Sequence, residues 1–261
     1  MSIGVVGWTT RFRTFTQAQV ESTYKKLAEM GYSGPENLLG ARAGINWEDD
    51  WKLLQKYGLK VADSRGGDYD KPDEIKKMAD TLGVNIIWLN PIPGEMMNSV
   101  DGFKAYAERI NGWAKNFGGY RLLYHHHAQE FRNFPSLNGK CGLQILIEET
   151  DPDRVVIEID TFWASAAGAD PAQWIRKVKG RIPIVHFKDY AYDWKAQDTD
   201  LGHIAPRYAE VGQGNINWQA VVEACRDAGV DWYCVEQDRT TIDEFESLKM
   251  SISYMKELGL K

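Results

Sequence analysis

The chain has 261 residues, of which 43% are hydrophobic and 26% charged, and a formal net charge of −6. That length and apolar content are enough for the core of one α/β barrel domain, and the acidic balance supplies no broad cationic field for a phosphate backbone, so nucleic acid is not an expected partner. Met1 to Gly7 lack a basic start before a long apolar run, no segment reaches about 18 uninterrupted apolar residues, and Cys141, Cys225 and Cys234 have no C-x-x-C spacing; the expectation is a soluble, unsecreted protein of the reducing cytoplasm with neither membrane contact nor a disulfide framework.

Along the chain, short runs rich in β-branched and apolar residues alternate with longer segments of helical period, the pattern of βα units around a parallel sheet. The predicted strands are Ile3 to Gly7, Gly31 to Pro35, Leu59 to Asp63, Val84 to Leu89, Arg121 to His125, Val155 to Asp160, Ile182 to His186 and Trp232 to Glu236. Pro35 fits only near a strand end. The first predicted helix, Thr16 to Met30, has an N-cap at Thr16, apolar positions at Val20, Tyr24 and Leu27, and a stop at Gly31. Pro72 to Leu82, Gly102 to Phe117, Pro171 to Val178, Trp218 to Ala228 and Asp243 to Leu258 follow, with Pro72 and Pro171 suited to a first helical turn. The longest irregular stretch, Asp189 to Asn217, reads as a βα loop. Eight such units over residues 1–261 predict an α/β fold, a single (β/α)8 TIM barrel.

Four segments in the second half end or follow a predicted strand with a carboxylate or imidazole: YHHHAQEF at Glu130, EIDTFW at Asp160, VHFKD at His186 and VEQD at Glu236. Strand ends are where a barrel of this kind builds its active site, and the mixed oxygen and nitrogen donors suit Mn²⁺, Co²⁺, Mg²⁺ or Zn²⁺. Glu148 and Glu149 fall in a predicted helix on the wrong side of the wall. His125 and His127 share strand parity and face the mouth if the strand extends that far, whereas His126 points to the helix layer. Lys188 has the parity of His186, a position for an oxyanion or a neighbouring carboxylate to meet its ammonium. Glu158, two before Asp160, faces inward one layer deeper as a structural polar group. Lys195, Arg207 and Glu210 in the loop after the seventh strand are candidate substrate or supporting contacts, and His203 reads as an exposed loop histidine. Trp8, Trp88, Trp163 and Trp194 fall at or just past strand ends, where aromatic faces suit the C–H faces of a sugar. VGQGNINW has two glycines but no Gly-rich phosphate loop opening a helix, which favours a neutral sugar, keto-sugar or cyclitol.

These segments resemble the sugar phosphate isomerase/epimerase family of xylose-isomerase-like TIM barrels, through EIDTFW, DPAQW and VHFKD in order from Glu158 to Asp189, then AEVGQGNINW and VEQDRT. The resemblance implies that Glu130, Asp160, His186 and Glu236 bind one divalent metal, Mn²⁺ first, with Glu130 and Glu236 also moving protons. It implies a possible homo-oligomer as well. Removing a proton α to a carbonyl leaves an enediolate whose charge a metal can stabilise, and its reprotonation makes an isomerase or epimerase. Expulsion of a β-leaving group from the same intermediate makes a dehydratase or lyase of inosose or 3-keto-sugar type. A non-catalytic sugar-binding protein is a further alternative. The endonuclease branch of the resemblance fits poorly, since it places a zinc-binding histidine three residues after the sixth-strand aspartate, where this chain has Trp163.

Overall fold

The computed structural model describes residues 1–193 and 205–261. Its strands are β1 (Ser2–Val5), β2 (Gly34–Pro35), β3 (Ile86–Trp88), β4 (Arg121–His125), β5 (Asn133–Phe134), β6 (Lys140–Cys141), β7 (Val155–Asp160), β8 (Ile184–Phe187), β9 (Asp189–Asp193), β10 (Ala205–Ala209) and β11 (Trp232–Val235). Its helices are α1 (Gln17–Met30), α2 (Trp47–Gln55), α3 (Pro72–Leu82), α4 (Val100–Asn116), α5 (Gly142–Glu149), α6 (Thr161–Ala166), α7 (Pro171–Lys177), α8 (Trp218–Ala228) and α9 (Glu244–Glu257).

Seven parallel strands run in the order β2-β1-β11-β8-β7-β4-β3. The eighth stave is the segment expected as a strand from Leu59 to Asp63, which bonds to both edges without regular ladder pairing. Lys60 N–H donates to Ser33 O and Ala62 N–H to Glu36 O on one side; Ser64 N–H donates to Ile86 O and Trp88 N–H to Ser64 O on the other. These bonds draw the curled sheet into a barrel. The irregularity has a local cause at Gly34, whose φ is 152° and where a Cβ would lie 1.8 Å from Lys60 O. Only glycine lets the second and third staves approach so closely, and the alternation that defines a strand is lost there.

Capping fixes where each helix takes over. Thr16 and Gln19 form a capping box on α1, and Gly31 in the left-handed region ends it. Asp160 closes β7 and opens α6 at once, its Oδ1 accepting from Trp163 N–H at 2.9 Å. The chain therefore turns sharply at the rim and leaves the other carboxylate oxygen free to face the barrel. The stretch expected as an irregular loop after the seventh stave contains the antiparallel pair of β9 and β10. Trp194, Lys195 and His203 lie outside the described residues.

The large core lies between sheet and helices, and a second, smaller apolar cluster fills the barrel interior: Val6, Ala62, Ile86, Leu123, Val156, Ile184 and Cys234, with Trp88 and Trp232 against them. Gly4 makes room for it, since a Cβ there would stand 2.8 Å from Cys234 Sγ and 3.1 Å from the Trp232 ring. Two residues further along the same strands, the interior becomes polar: Leu123 gives way to His125, Val156 to Glu158, Ile184 to His186 and Cys234 to Glu236. No described helix is long and apolar enough to cross a membrane.

Candidate functional site

The polar end of the barrel forms two tiers that share His186. In the upper tier, His186 Nδ1 lies 3.1 Å from Glu236 Oε2 and 3.8 Å from Asp160 Oδ2. In the deeper tier, His186 Nε2 lies 3.0 Å from Glu36 Oε2 and 3.1 Å from Glu158 Oε1, while His125 Nδ1 lies 3.1 Å from Glu158 Oε2. Asp63 is also buried there, beside Glu36 and Glu158. Glu158 occupies the deeper layer that its parity predicts. Glu36 and Asp63 escaped the sequence reading although each ends or directly follows a predicted strand, the rule already applied at Asp160 and Glu236.

Ligand atoms of Asp160, His186 and Glu236 lie within 4.8 Å of one another, and so do those of His125, Glu158 and His186. Asp160 Oδ2 is buried with no hydrogen-bond partner among the described residues, as are Glu158 Oε1 and both oxygens of Asp63. Buried carboxylate oxygens left unpaired are costly, so a cation fits this donor set. Three of the four expected ligands are thus brought together. The fourth, Glu130, belongs to neither close group: Tyr124 Oη donates to its Oε1 at 2.6 Å and the His127 N–H to its Oε2 at 3.0 Å. It sits on a short turn after β4 rather than on the strand itself.

The electrostatics separate the two glutamates. Burial raises the proton affinity of Glu130 above the usual carboxylate range, only partly offset by the Tyr124 hydroxyl and the His127 amide. Burial pushes Glu236 the same way, but the charge of Lys188 and the hydrogen bond and charge of His186 hold it well below that range. Burial likewise opposes protonation of His186, and the negative charges of Glu158 and Glu36, with Asp160 close by, overcome it and raise its proton affinity well above the usual imidazole range. His125 is pushed down to about 4 by burial and by the neighbouring His186, so it is neutral at ordinary pH.

Lys188 is fully enclosed. Its Nζ lies 2.7 Å from Asp238 Oδ2, 3.1 Å from Glu236 Oε2 and 3.6 Å from Asp160 Oδ2, with the ring centroids of Trp163, Tyr208 and Phe162 at 4.8, 5.3 and 5.6 Å. The carboxylate partner expected for it is present, and Asp238 was not anticipated. His127 packs 5.5 Å from Trp163, and His126 is buried, accepting from Asp160 N–H at 3.1 Å, which holds the end of β7.

The remaining expected contacts make the following interactions. Trp88 packs on the apolar interior cluster, Glu210 accepts from Thr240 Oγ1 at 2.8 Å, Arg207 is exposed, and Trp8 is half exposed with the guanidiniums of Arg11 and Arg42 4.5 and 5.3 Å from its ring centroid. The glycines of VGQGNINW do not present open amides: Gly212 and Gly214 N–H donate to Asp189 Oδ2 at 2.9 and 3.0 Å, joined by Trp218 Nε1 at 2.7 Å. A carboxylate of the chain itself fills that nest. A cleft of about 620 Å³ opens beside the Glu130 turn, with Met97, Asn98, Ala128, Gln129 and Arg132 in its walls.

A family model described as xylose isomerase-like TIM barrel matches residues 24–258. Among curated relatives, an inosose dehydratase of Geobacillus thermodenitrificans (strain NG80-2) is 26% identical over 98% of this chain and 96% of its own length. An inosose dehydratase of Lacticaseibacillus casei is 27% identical over 57% of this chain, and the match spans about half of that relative, 51%. Among solved structures, a sugar phosphate isomerase/epimerase from Parabacteroides distasonis ATCC 8503 superposes with a TM-score of 0.74 at 20% identity, covering 98% of each chain.

Proposed function

This chain belongs to the xylose isomerase-like TIM barrel family, and from that premise we propose that it removes a proton α to the carbonyl of a keto-sugar or cyclitol ketone, with a divalent cation at Asp160, His186 and Glu236. The observation that carries this reading is the buried group of those three residues, one carboxylate oxygen of which has no hydrogen-bond partner among the described residues. The cation, Mn²⁺ by preference, supplies positive charge against which the oxygens of an enediolate can be held.

The chain's own residues divide the remaining work. Glu130, with its raised proton affinity and both oxygens fixed by Tyr124 and His127, is the better matched base for a weakly acidic C–H. Glu236, held anionic by Lys188 and His186, is the weaker base of the pair and handles the proton on the opposite side. The enclosed Lys188 ammonium adds a second positive group beside the developing oxyanion. Trp163, over Lys188 and His127, offers an aromatic face to the sugar ring. His125 and His127 are neutral donors or acceptors for hydroxyls. The filled nest at Asp189 supports a substrate without a phosphate at that loop.

Reprotonation of the enediolate gives an isomerase or epimerase. Loss of a β-hydroxyl gives a dehydratase, a reading favoured by the relative named inosose dehydratase that aligns over nearly the whole chain. The deciding experiment is cation-dependent exchange of substrate C–H protons into D₂O, followed by NMR across ketoses, keto-sugars and inososes. Exchange with an epimer or isomer as product supports the first outcome, and exchange with an enone or dione supports the second. Absence of exchange with every candidate overturns the carbon-acid reading. Three buried, unbridged cysteines accord with a reducing cytoplasm.

A further inference from the structure

The cation group accounts for Asp160, His186 and Glu236 but leaves the deeper carboxylates without a role. Glu36 and Glu158 are 2% and 0% exposed, and burying two carboxylates together is unfavourable unless each has a partner. Both stand at one atom: Glu36 Oε2 is in hydrogen-bond geometry 3.0 Å from His186 Nε2, and Glu158 Oε1 lies 3.1 Å from it as a charge neighbour outside that geometry. They reach it from different sides, Glu158 from the adjacent strand β7 and Glu36 from beyond β2, three strands away around the barrel. The other ring nitrogen, Nδ1, faces Glu236 and Asp160.

An imidazole can ligate a cation through Nδ1 only while its proton resides on Nε2, and a buried N–H needs an acceptor. We propose that Glu36 and Glu158 are positioning residues, Glu36 accepting the Nε2 proton of His186 and Glu158 holding its charge beside the same N–H, which together aim the Nδ1 lone pair at the cation site. His125 anchors this arrangement, with Nδ1 3.1 Å from the second oxygen of Glu158 and its ring 4.5 Å from that of His186. Neither carboxylate touches the reacting atoms. Their effect passes through the orientation of one ring, and the inference rests on the cation-dependent reading above.

The test uses the full chain with Glu36→Gln and Glu158→Gln, each checked for an unchanged thermal melt, and Glu36→Asp as the variant that keeps a charged carboxylate acceptor. Titration calorimetry with Mn²⁺ should give an unchanged stoichiometry and a Kd roughly 10–100-fold weaker in the glutamine variants, with part of the loss recovered in Glu36→Asp. In the metal-free protein, ¹⁵N NMR should find a strongly hydrogen-bonded proton on His186 Nε2 whose resonance moves in both glutamine variants. Wild-type Mn²⁺ affinity in both variants overturns the proposal, as does a His186 protonated on Nδ1 alone. Complete loss of binding in Glu158→Gln, equal to that in Asp160→Ala, also overturns it and assigns the cation to the deeper group. A wild-type protein that binds no Mn²⁺ defeats the functional reading, and the NMR experiment still decides which nitrogen the carboxylates hold protonated.

Discussion

The two halves of the barrel interior use the same strands and the same alternation, yet one is built of Leu123, Val156, Ile184 and Cys234 and the other of His125, Glu158, His186 and Glu236. A single step of two residues separates them. The lower half is a packed apolar plug that stabilises the barrel; the upper half concentrates charge that destabilises it unless protons, partners or a cation neutralise it. Stability and chemistry are therefore divided along each strand, and the division can be tested by substituting one member of each half.

The largest effect should follow from Asp160→Ala or His186→Ala. Each removes a donor from the upper group, so Mn²⁺ binding and cation-dependent exchange should both be lost, in protein that circular dichroism shows to be folded; the metal-free melting temperature should fall, because Asp160 also caps α6 and His186 is the cationic partner of the buried carboxylates. Full metal occupancy in both variants, read by elemental analysis, rules out the assignment. Glu130→Gln should come next. Exchange should slow by about 10²–10⁴-fold, the usual contribution of a general base, with Mn²⁺ still bound. Undiminished exchange removes Glu130 from the catalytic pair.

Leu123→Ala probes the other half and should invert the pattern. Leu123 is fully buried in the plug, and its truncation should cost about 2–5 kcal/mol in denaturant unfolding. Mn²⁺ affinity should hold within a few fold, since His125 above it keeps its Glu158 partner. A loss of metal binding as large as the loss of stability would show that the halves are not separable.

How far this division was legible in the sequence depended on regularity. Where a strand runs straight into its polar end, as in β7 to Asp160 or β8 to His186, the strand-end position points to the side chain, and alternation adds Glu158 one layer deeper. Where the chain leaves the ladder, alternation stops working: Glu130 lies on a turn, and hydrogen bonds from Tyr124 Oη and the His127 N–H fix its carboxylate. The second and third staves are distorted at Gly34, so the parity of Glu36 and Asp63 had no regular strand to rest on. The signal that could have found them is simpler than parity, since both stand at the ends of their staves. Trp88 misled in the opposite sense: its place at a strand end suggested the mouth, but its ring packs on the plug.

The smallest effect tests the electrostatic contrast between Glu130 and Glu236 in the metal-free protein. Burial raises the proton affinity of Glu130 in the folded state above the ordinary carboxylate value of 4.5. Its contribution to stability is then complete below 4.5 and is lost as pH climbs through the folded value. Glu236 has the opposite sign: Lys188 and His186, against the effect of burial, hold it below 4.5, so its contribution is present above that value and is lost as pH falls through the folded one. Unfolding free energies of wild type minus Glu130→Gln should therefore fall as pH rises above 4.5, by on the order of 1 kcal/mol. Wild type minus Glu236→Gln should rise with pH below 4.5. Slopes of the same sign would mean that one environment governs both glutamates, and the separation of a base that can take a proton from an anion that holds charge would fail.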